Sequence, residues 1–301
     1  MRLDYAELSR QIGLPAGAGG PLVTGLAFDS RKVKPGDMFF ALAGSKTDGA
    51  LYAAKAAQAG ASVVVGEGPR PAGLPDTVIY APVADARRAL AKAAAFAWPR
   101  QPGTIIAVTG TAGKSSVADF TRQIFQSLGK EVASLGTLGV ITAKGAEYGA
   151  LTTPDSLTLH QTLDRLAGDG ITHLIIEASS HGLDQRRLDG IRITAGAFTN
   201  LGRDHLDYHA TLDEYFSCKM RLFTELLPKD AWVVINADGD RAEEVADICL
   251  KGGLKVVETG YSGSNIQIRT ITNEAFGQKL TLSDGRNFYD VNLPLIGAFQ
   301  V

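Results

Sequence analysis

Cysteine is almost absent: Cys218 and Cys249 are the only two in 301 residues, and their spacing makes neither a metal site nor a redox pair. Two free thiols fit a reducing cytoplasm better than a secreted, disulfide-bonded scaffold. Long apolar runs are missing too. The longest, such as VVINA and HLIIEA, are far too short to span a bilayer. The formal net charge of -2 gives no reason to expect nucleic acid or an anionic membrane as partner. The opening MRLDYAELSRQIGL is polar, amphipathic and partly acidic, so it is not a secretory signal. There is no internal repeat and no low-complexity tail. What is present is a chain with 45% hydrophobic residues and enough length for two domains, each with its own core.

The first hundred residues alternate short strands with alanine-rich helices. VTGLAFDS, DMFFAL and ASVVVGE read as strands, and GALYAAKAAQAG and ADARRALAKAAAFAW as helices. The segment 99–103, PRQPG, has two prolines and a glycine and predicts a linker, dividing the chain into domains 1–100 and 101–301. Beyond it TIIAVTG, EVASL, THLIIEA, GAFTN and AWVVINA read as strands, most of them separated by helical patterns. That alternation predicts an α/β protein whose larger domain is a mostly parallel sheet with helices on both faces. From Asn265 to Phe288 the pattern becomes β-alternation with turns, expected as a meander on one sheet edge. The final LPLIGAFQV reads as a strand opening another helix, so a continuing chain is expected there, and the sheet is expected to expose apolar surface that favours association.

The loop Gly110-Thr111-Ala112-Gly113-Lys114-Ser115-Ser116 follows an apolar strand and precedes a helix. Glycines let such a backbone curl its N–H groups around an anion, and the helix N-terminus adds its dipole. Lys114 would reach the β- and γ-phosphates of a nucleotide, and Ser115 would ligate magnesium. Val108 stands where the strict phosphate-loop pattern has glycine, so this is a variant loop. A plain glycine turn capping an ordinary helix is the competing reading.

Further acid, imidazole and lysine gather downstream. Glu177 ends a strand on the side where open α/β sheets bind ligands, or is simply a solvated strand terminus. Asp204, His205, Asp207 and His209 crowd just beyond another strand; His205 is either a structural histidine or, with Glu177, a magnesium ligand. In TLDEYFSCKMRLFTELL, Leu212, Phe216, Met220, Phe223 and Leu227 recur at helical spacing, and Lys219 lies on or beside that face. It could snorkel to water, or be desolvated, which favours the neutral amine.

Together these residues resemble the Mur ligases over essentially the whole chain, in particular the branch that attaches a third amino acid. Phe28-Asp29-Ser30-Arg31, residues 34–41 and Gly44-Ser45-Lys46-Thr47-Asp48-Gly49 look like the family's uridine-diphosphate segments. Gly110 to Ser116 is similar to its ATP loop, Thr152-Thr153-Pro154 to its T-T-P turn, and residues 177–187, 198–209 and Lys219 to its remaining motifs. The resemblance implies a small N-terminal α/β domain that binds UDP-MurNAc, then a phosphate-loop ATPase domain, with a third, amino-acid-binding domain beyond. It implies that Phe28, Ser30, Ser45, Lys46 and Thr47 hold the uridine-diphosphate end of UDP-MurNAc-L-Ala-D-Glu. Thr152, Thr153, Ser179, Gln185 and Arg187 would hold its peptide end. Gly110, Thr111, Ala112, Gly113, Lys114, Ser115 and Ser116 would cradle ATP. Ser115 and Glu177 would bind one Mg2+, and His205 with a carbamoylated Lys219 a second; Lys114, Glu177, His205 and Lys219 would be the catalytic set. The activity implied is ATP-dependent amide formation in peptidoglycan synthesis, in the cytoplasm, with diaminopimelate or lysine as third substrate, by a full-length monomer.

Two positions depart from the family pattern: Ala112 replaces the usual Asn, and Gln300 replaces the first Asn near the adenine. A nucleotide kinase would show the strict loop glycine, and a folylpolyglutamate synthase would lack Asp29-Ser30-Arg31 and the Gly44–Gly49 turn. A non-catalytic nucleotide-sugar-binding fragment is the remaining alternative, and ligation is expected to need the third domain.

Overall fold

The computed structural model describes residues 2–14, 20–44, 47–149, 151–204, 208–295 and 297. Ser45, Lys46, His205, Asp207 and Gln300 lie outside them. Two compact units emerge: Met1–Gln101 with Pro154–Gly170 and Asp184–Ile191, and Pro102–Thr153 with Ile171–Leu183 and Arg192–Val301. The chain first changes unit within the expected linker, between Gln101 and Pro102. A single cut at residue 100 does not describe the units, because the chain returns twice to the first. The first return is the helix Ser156–Gly168, whose Leu159, Leu163 and Leu166 are buried. Its Asp164 takes three hydrogen bonds from the backbone and guanidinium of Arg100, at 2.6–3.1 Å.

In the first unit four parallel strands lie in the order Gly25–Ala27, Asp37–Ala41, Val63–Gly66, Ile79–Pro82. Period-two alternation divides their side chains between two cores. Met38, Phe40, Val63 and Val65 face Leu8, Leu90 and Ala93, whereas Phe39 and Val64 face Ala53, Ala56 and Leu74. The helix Ala86–Ala97 starts where Asp85 accepts a hydrogen bond from the Arg88 N–H at 2.8 Å, a side-chain N-cap. VTGLAFDS does not form one strand: Leu22–Val23 pairs antiparallel with Leu3–Asp4, Gly25–Ala27 joins the parallel sheet, and Asp29-Ser30 turns away. GALYAAKAAQAG divides likewise into a 3-10 turn, Gly49–Tyr52, and a short helix, Ala53–Gln58.

Among its described residues the second unit has a sheet of eleven strands. Val132–Gly136, His173–Glu177, Thr104–Thr109, Ala195–Phe198, Trp232–Asn236 and Lys255–Gly260 are neighbours in that order and all parallel. Gly139–Thr142 and Gly145–Glu147 add an antiparallel hairpin at one edge. At the other, Ile266–Glu274, Gly277–Ser283 and Phe288–Leu293 form the expected meander. One face carries a groove of ≈ 700 Å³ lined by Phe198, Val234, Ile268, Leu280 and Leu293, with Val234 40% exposed. Phe198 and Leu280 are themselves buried, and Asn200, Asn236 and Asp238 also line the groove. Among the described residues no helix is long and apolar enough to cross a membrane. Cys218 and Cys249 are both buried; the Cys218 thiol donates to Ser180 O at 3.0 Å, and burial pushes the Cys249 thiol up to about 12.

Phe40 is fully buried in the second strand of the first unit's sheet. Phe40→Ala is expected to cost about 3–5 kcal/mol, read as a lowered midpoint in chemical denaturation followed by circular dichroism.

Candidate functional site

The strand Thr104–Thr109 lies between His173–Glu177 and Ala195–Phe198; its own connection leads to Val132–Gly136 in one half of the sheet, whereas theirs lead to Ala195–Phe198 and Trp232–Asn236 in the other. Open α/β folds bind ligands beyond the strand ends at such a switch point. Here the chain turns through Gly110, at φ 141°, where any Cβ would overlap the Thr199 hydroxyl. Gly113, at φ 81°, starts the helix Lys114–Ser127. The loop is braced from the next strand's end. Asn200 O accepts from Thr111 N at 2.9 Å, Asn200 Oδ1 from Ala112 N at 3.0 Å, and Thr199 Oγ1 donates to Ala112 O at 2.6 Å. This is a pinned loop, not a plain helix cap.

A cleft of ≈ 330 Å³ opens over it, lined by Thr111 to Ser115 with Thr137, Thr152, Glu177, Ser179, Asp204, Tyr215 and Lys219. Glu177 is 3% exposed, so it is no solvated strand terminus. Its carboxylate accepts from Ser115 Oγ at 3.0 Å, Thr137 N at 2.9 Å and Thr137 Oγ1 at 3.3 Å. Gly136 makes this possible, because a Cβ there would occupy the carboxylate's position.

Lys219 is 1% exposed, which rules out snorkelling. Its Nζ donates to Gly110 O at 2.8 Å and lies 4.1 Å from the Tyr215 ring centroid. Lys114 Nζ folds back to the same Gly110 O at 2.9 Å and to Thr111 O at 2.7 Å. Desolvation first, and the neighbouring Lys114 charge second, bring the Lys219 amine down to about 7; desolvation also lowers Lys114. The helix bearing Lys219 differs in detail from the expected one. It is α-helical over Leu212–Arg221 and then widens into a π turn, Leu222–Leu226. Leu212, the first helical residue, is exposed, and Tyr215, Cys218 and Leu222 are buried beside Phe216 and Met220.

Thr152 and Ser179 line the cleft. Thr153 is 1% exposed, and its hydroxyl serves Glu177 O at 2.8 Å and Ser179 Oγ at 3.0 Å, so it orders Ser179 rather than facing the cleft. Gln185 and Arg187 belong to the first unit and hydrogen-bond to each other at 2.7 Å. Ser116 is exposed and outside the cleft lining. His209 is buried in a ring cluster, its centroid 4.9 Å from Tyr208 and 5.2 Å from Tyr215. Among the described residues no three His, Cys, Asp or Glu side chains group as a metal site. The residues that sequence reasoning did not assign are Gly136, Thr137, Thr199, Asn200 and Tyr215, all holding the others in place.

The first unit has its own cleft, ≈ 570 Å³, where Phe28, Ser30 and Thr47 meet Arg31, Tyr52, Lys55 and Arg87. Arg31 grips Asp29 through both carboxylate oxygens, and these hydrogen bonds hold the Asp29 carboxyl at about 2. The cationic Lys55 and Arg87 are the signal that a search for phosphate-binding groups would have followed.

A phosphate-loop α/β unit and a separate small parallel α/β unit are therefore the class this chain represents. Residues 108–301 match the Mur ligase middle domain and residues 22–98 the Mur ligase family catalytic domain. The chain belongs to the Mur ligase family. It is 52% identical over 285 residues to the UDP-N-acetylmuramoyl-L-alanyl-D-glutamate--2,6-diaminopimelate ligase of Bradyrhizobium diazoefficiens, covering 93% of this chain and 58% of that protein. To the ligase of the same name from Rhizobium meliloti it is 49% identical over 300 residues, 99% of this chain and 60% of the other. A solved structure of a ligase of that name superimposes with a TM-score of 0.83 at 29% identity, covering 99% of this chain and 61% of the other. The chain thus spans about three fifths of the length of these relatives.

Two predictions follow from the packing of the cleft. Gly136→Ala should destabilise the second unit by about 1–3 kcal/mol through overpacking, and Glu177→Ala in the same chain should recover most of the loss; thermal unfolding of the set reads this out. The Lys219 amine titrates near 7 when folded and near its ordinary 10.5 when unfolded, so wild-type stability rises with pH between those values. Lys219→Met should therefore raise the thermal midpoint most below pH 7 in carbon-dioxide-free buffer, and the gain should shrink toward pH 10.5.

Proposed function

We propose that this chain carries the nucleotide-sugar and ATP sites of an amide ligase that joins diaminopimelate to UDP-MurNAc-L-Ala-D-Glu in cytoplasmic peptidoglycan synthesis. The observation that carries the reading is the cleft at the sheet's switch point, where Lys114, Lys219, Ser115 and Glu177 converge on a pinned phosphate loop. The names of the relatives supply the substrates, and the first unit's cleft supplies a site of the right character for uridine diphosphate.

In the proposed reaction a D-glutamate carboxylate oxygen bonds to the γ-phosphorus of ATP and ADP leaves. The amine of diaminopimelate then bonds to the acyl carbon, phosphate leaves, and the amine gives up its proton. Both partners of the first step are anions, so the barrier is electrostatic. Lys114 would exchange its two loop carbonyls for phosphate oxygens, and the helix Lys114–Ser127 would direct its N-terminal dipole at them. The adjacent oxygens of Ser115 and Glu177, 3.0 Å apart beside an open cleft, suit a magnesium ion, which keeps much of its water shell. Bound there, the ion would neutralise phosphate charge. Lys219 as an ammonium is no ligand. Its buried, readily neutral amine can add carbon dioxide with loss of a proton, and the resulting carbamate, with His205, would offer oxygen and nitrogen to a second ion. Thr152 and Ser179, ordered by Thr153, with Gln185 and Arg187, would take the peptide end, and Phe28, Ser30, Ser45, Lys46 and Thr47 the uridine-diphosphate end.

Because the chain spans 58% of a relative's length, ligation is proposed for the whole protein, and binding for these 301 residues. Calorimetry should show the 301-residue chain binding UDP-MurNAc-L-Ala-D-Glu, and binding ATP with magnesium in a manner that Lys114→Ala weakens by at least about tenfold. Isotope-labelled bicarbonate should give a carbamate carbon resonance that Lys219→Ala abolishes. Nucleotide affinity indifferent to Lys114 would sink the loop assignment, and tripeptide formed by this chain alone would show that the amino-acid site lies within it.

A further inference from the structure

Between Gln185 and Arg187 stands Arg186, at φ 58°. An arginine is disfavoured in the left-handed region, where its Cβ crowds the following carbonyl, and such a residue persists only if its surroundings over-determine it. They do so through a ring of charges. Arg186 Nε lies 3.0 Å from Asp85 Oδ2, and its Nη1 3.9 Å from Asp189 Oδ2. Asp189 is 5% exposed and also faces Arg88 Nε at 3.6 Å. The Arg88 N–H donates to Asp85 Oδ1 at 2.8 Å and closes the ring.

The same Asp85 is the N-cap of the helix Ala86–Ala97, so the ring ties this segment to the N-terminus of that helix. Gly190 tightens the tie: at φ 86°, a Cβ there would sit 2.8 Å from Ala95 Cβ and 3.3 Å from Ala91 O. Gln101 Nε2 donates to Gly190 O at 3.1 Å, and His160 Nε2 lies 3.2 Å from Asp189 O. The segment is moored at 186, 189 and 190, while Gln185 and Arg187, on either side of the reversed backbone, pair through Arg187 Nη2 and Gln185 Oε1 at 2.7 Å. The Arg186–Asp85 pair is partly exposed, and such pairs contribute little to stability on their own. The buried Asp189 needs cationic neighbours to offset its desolvation, and a strained residue held between both carboxylates points to geometry as the purpose.

We propose that Arg186 is a positioning residue: the ring Arg186–Asp85–Arg88–Asp189 fixes the backbone that presents Gln185 and Arg187 to the peptide end of the substrate. The inference rests on the function proposed above. A guanidinium aligned against an amide is suited to the carboxylate and amide groups of an L-Ala-D-Glu stem, and such recognition fails when the aligned pair is displaced by a fraction of its reach.

The test uses calorimetry of the 301-residue chain with two probes, UDP-MurNAc-L-Ala-D-Glu and uridine diphosphate alone. Arg186→Ala should weaken the first about tenfold and leave the second unchanged. Asp85→Asn keeps the helix cap, since Asn caps as well as Asp, and should reproduce the same selective loss. The double variant should be no worse than either single, and Arg186→Lys should restore most of the affinity. Equal weakening of both probes, or no weakening of the first, overturns the inference. Should Arg186→Ala lower the thermal midpoint and bind nothing, Asp85→Asn decides by the same two readings. A wild-type chain that binds neither probe sinks the functional reading, and the inference with it.

Discussion

Two ammonium groups share one carbonyl oxygen. Lys114 and Lys219 both donate to Gly110 O, at 2.9 and 2.8 Å, Lys219 from a buried position and Lys114 from a half-buried one. Like charges this close repel, and desolvation adds to the penalty. The loop around that oxygen is fixed from the neighbouring strand: the φ of Gly110, 141°, and its closeness to Thr199 admit no side chain, and Thr199 and Asn200 hold the rest of the loop. Tyr215 compensates further, presenting its ring to the Lys219 ammonium and lying 3.2 Å, hydroxyl to hydroxyl, from Thr111. Cationic groups so confined stabilise an anion far more strongly than the same groups in water would.

The fold exists around that point. Parallel pairing brings the ends of Thr104–Thr109, His173–Glu177 and Ala195–Phe198 to one edge. Loop, acid and brace therefore come from three different strands and converge without any long loop. Glu177 reaches the loop serine only because its neighbour in the sheet, Gly136, has no side chain. The acid is thus placed by an absence in an adjacent strand, and its orientation by Thr137, one residue further on.

This division explains how much was legible in the sequence. Strand-loop-helix order around GTAGKSS, the edge meander and the reactive residues Lys114, Glu177 and Lys219 are local signals, and the structure brings those three side chains to one cleft. Local signals miss whatever depends on a distant partner. Gly136-Thr137 reads as a turn until Glu177 is set beside it. Ile79–Pro82 escapes notice because it is short and ends in proline, tolerated on an edge strand. The hairpin 139–147 lacks strong alternation. A 3.6-residue template places Leu212 on the buried face, but as the first residue of its helix it lies at the end of that face and stays exposed. The two returns to the first unit are invisible because ion pairs such as Arg100–Asp164, 64 residues apart, leave no periodic trace.

The charge balance of the cleft gives the carbamate proposal its physical logic. Among the described lining residues, Lys114 and Lys219 offset the carboxylates of Glu177 and Asp204 when both lysines are protonated. Such a neutral site suits one nucleotide with one divalent ion. Converting Lys219 from cation to carbamate would make it net negative and able to hold a second ion beside the first. The conversion needs a neutral amine, and Lys114 itself helps to keep Lys219 neutral by repulsion. A carbamate would also release Gly110 O from one of its two donors and attract Lys114. One lysine thus prepares the other for modification, and the modified lysine would then restrain the first until phosphate oxygens compete for it.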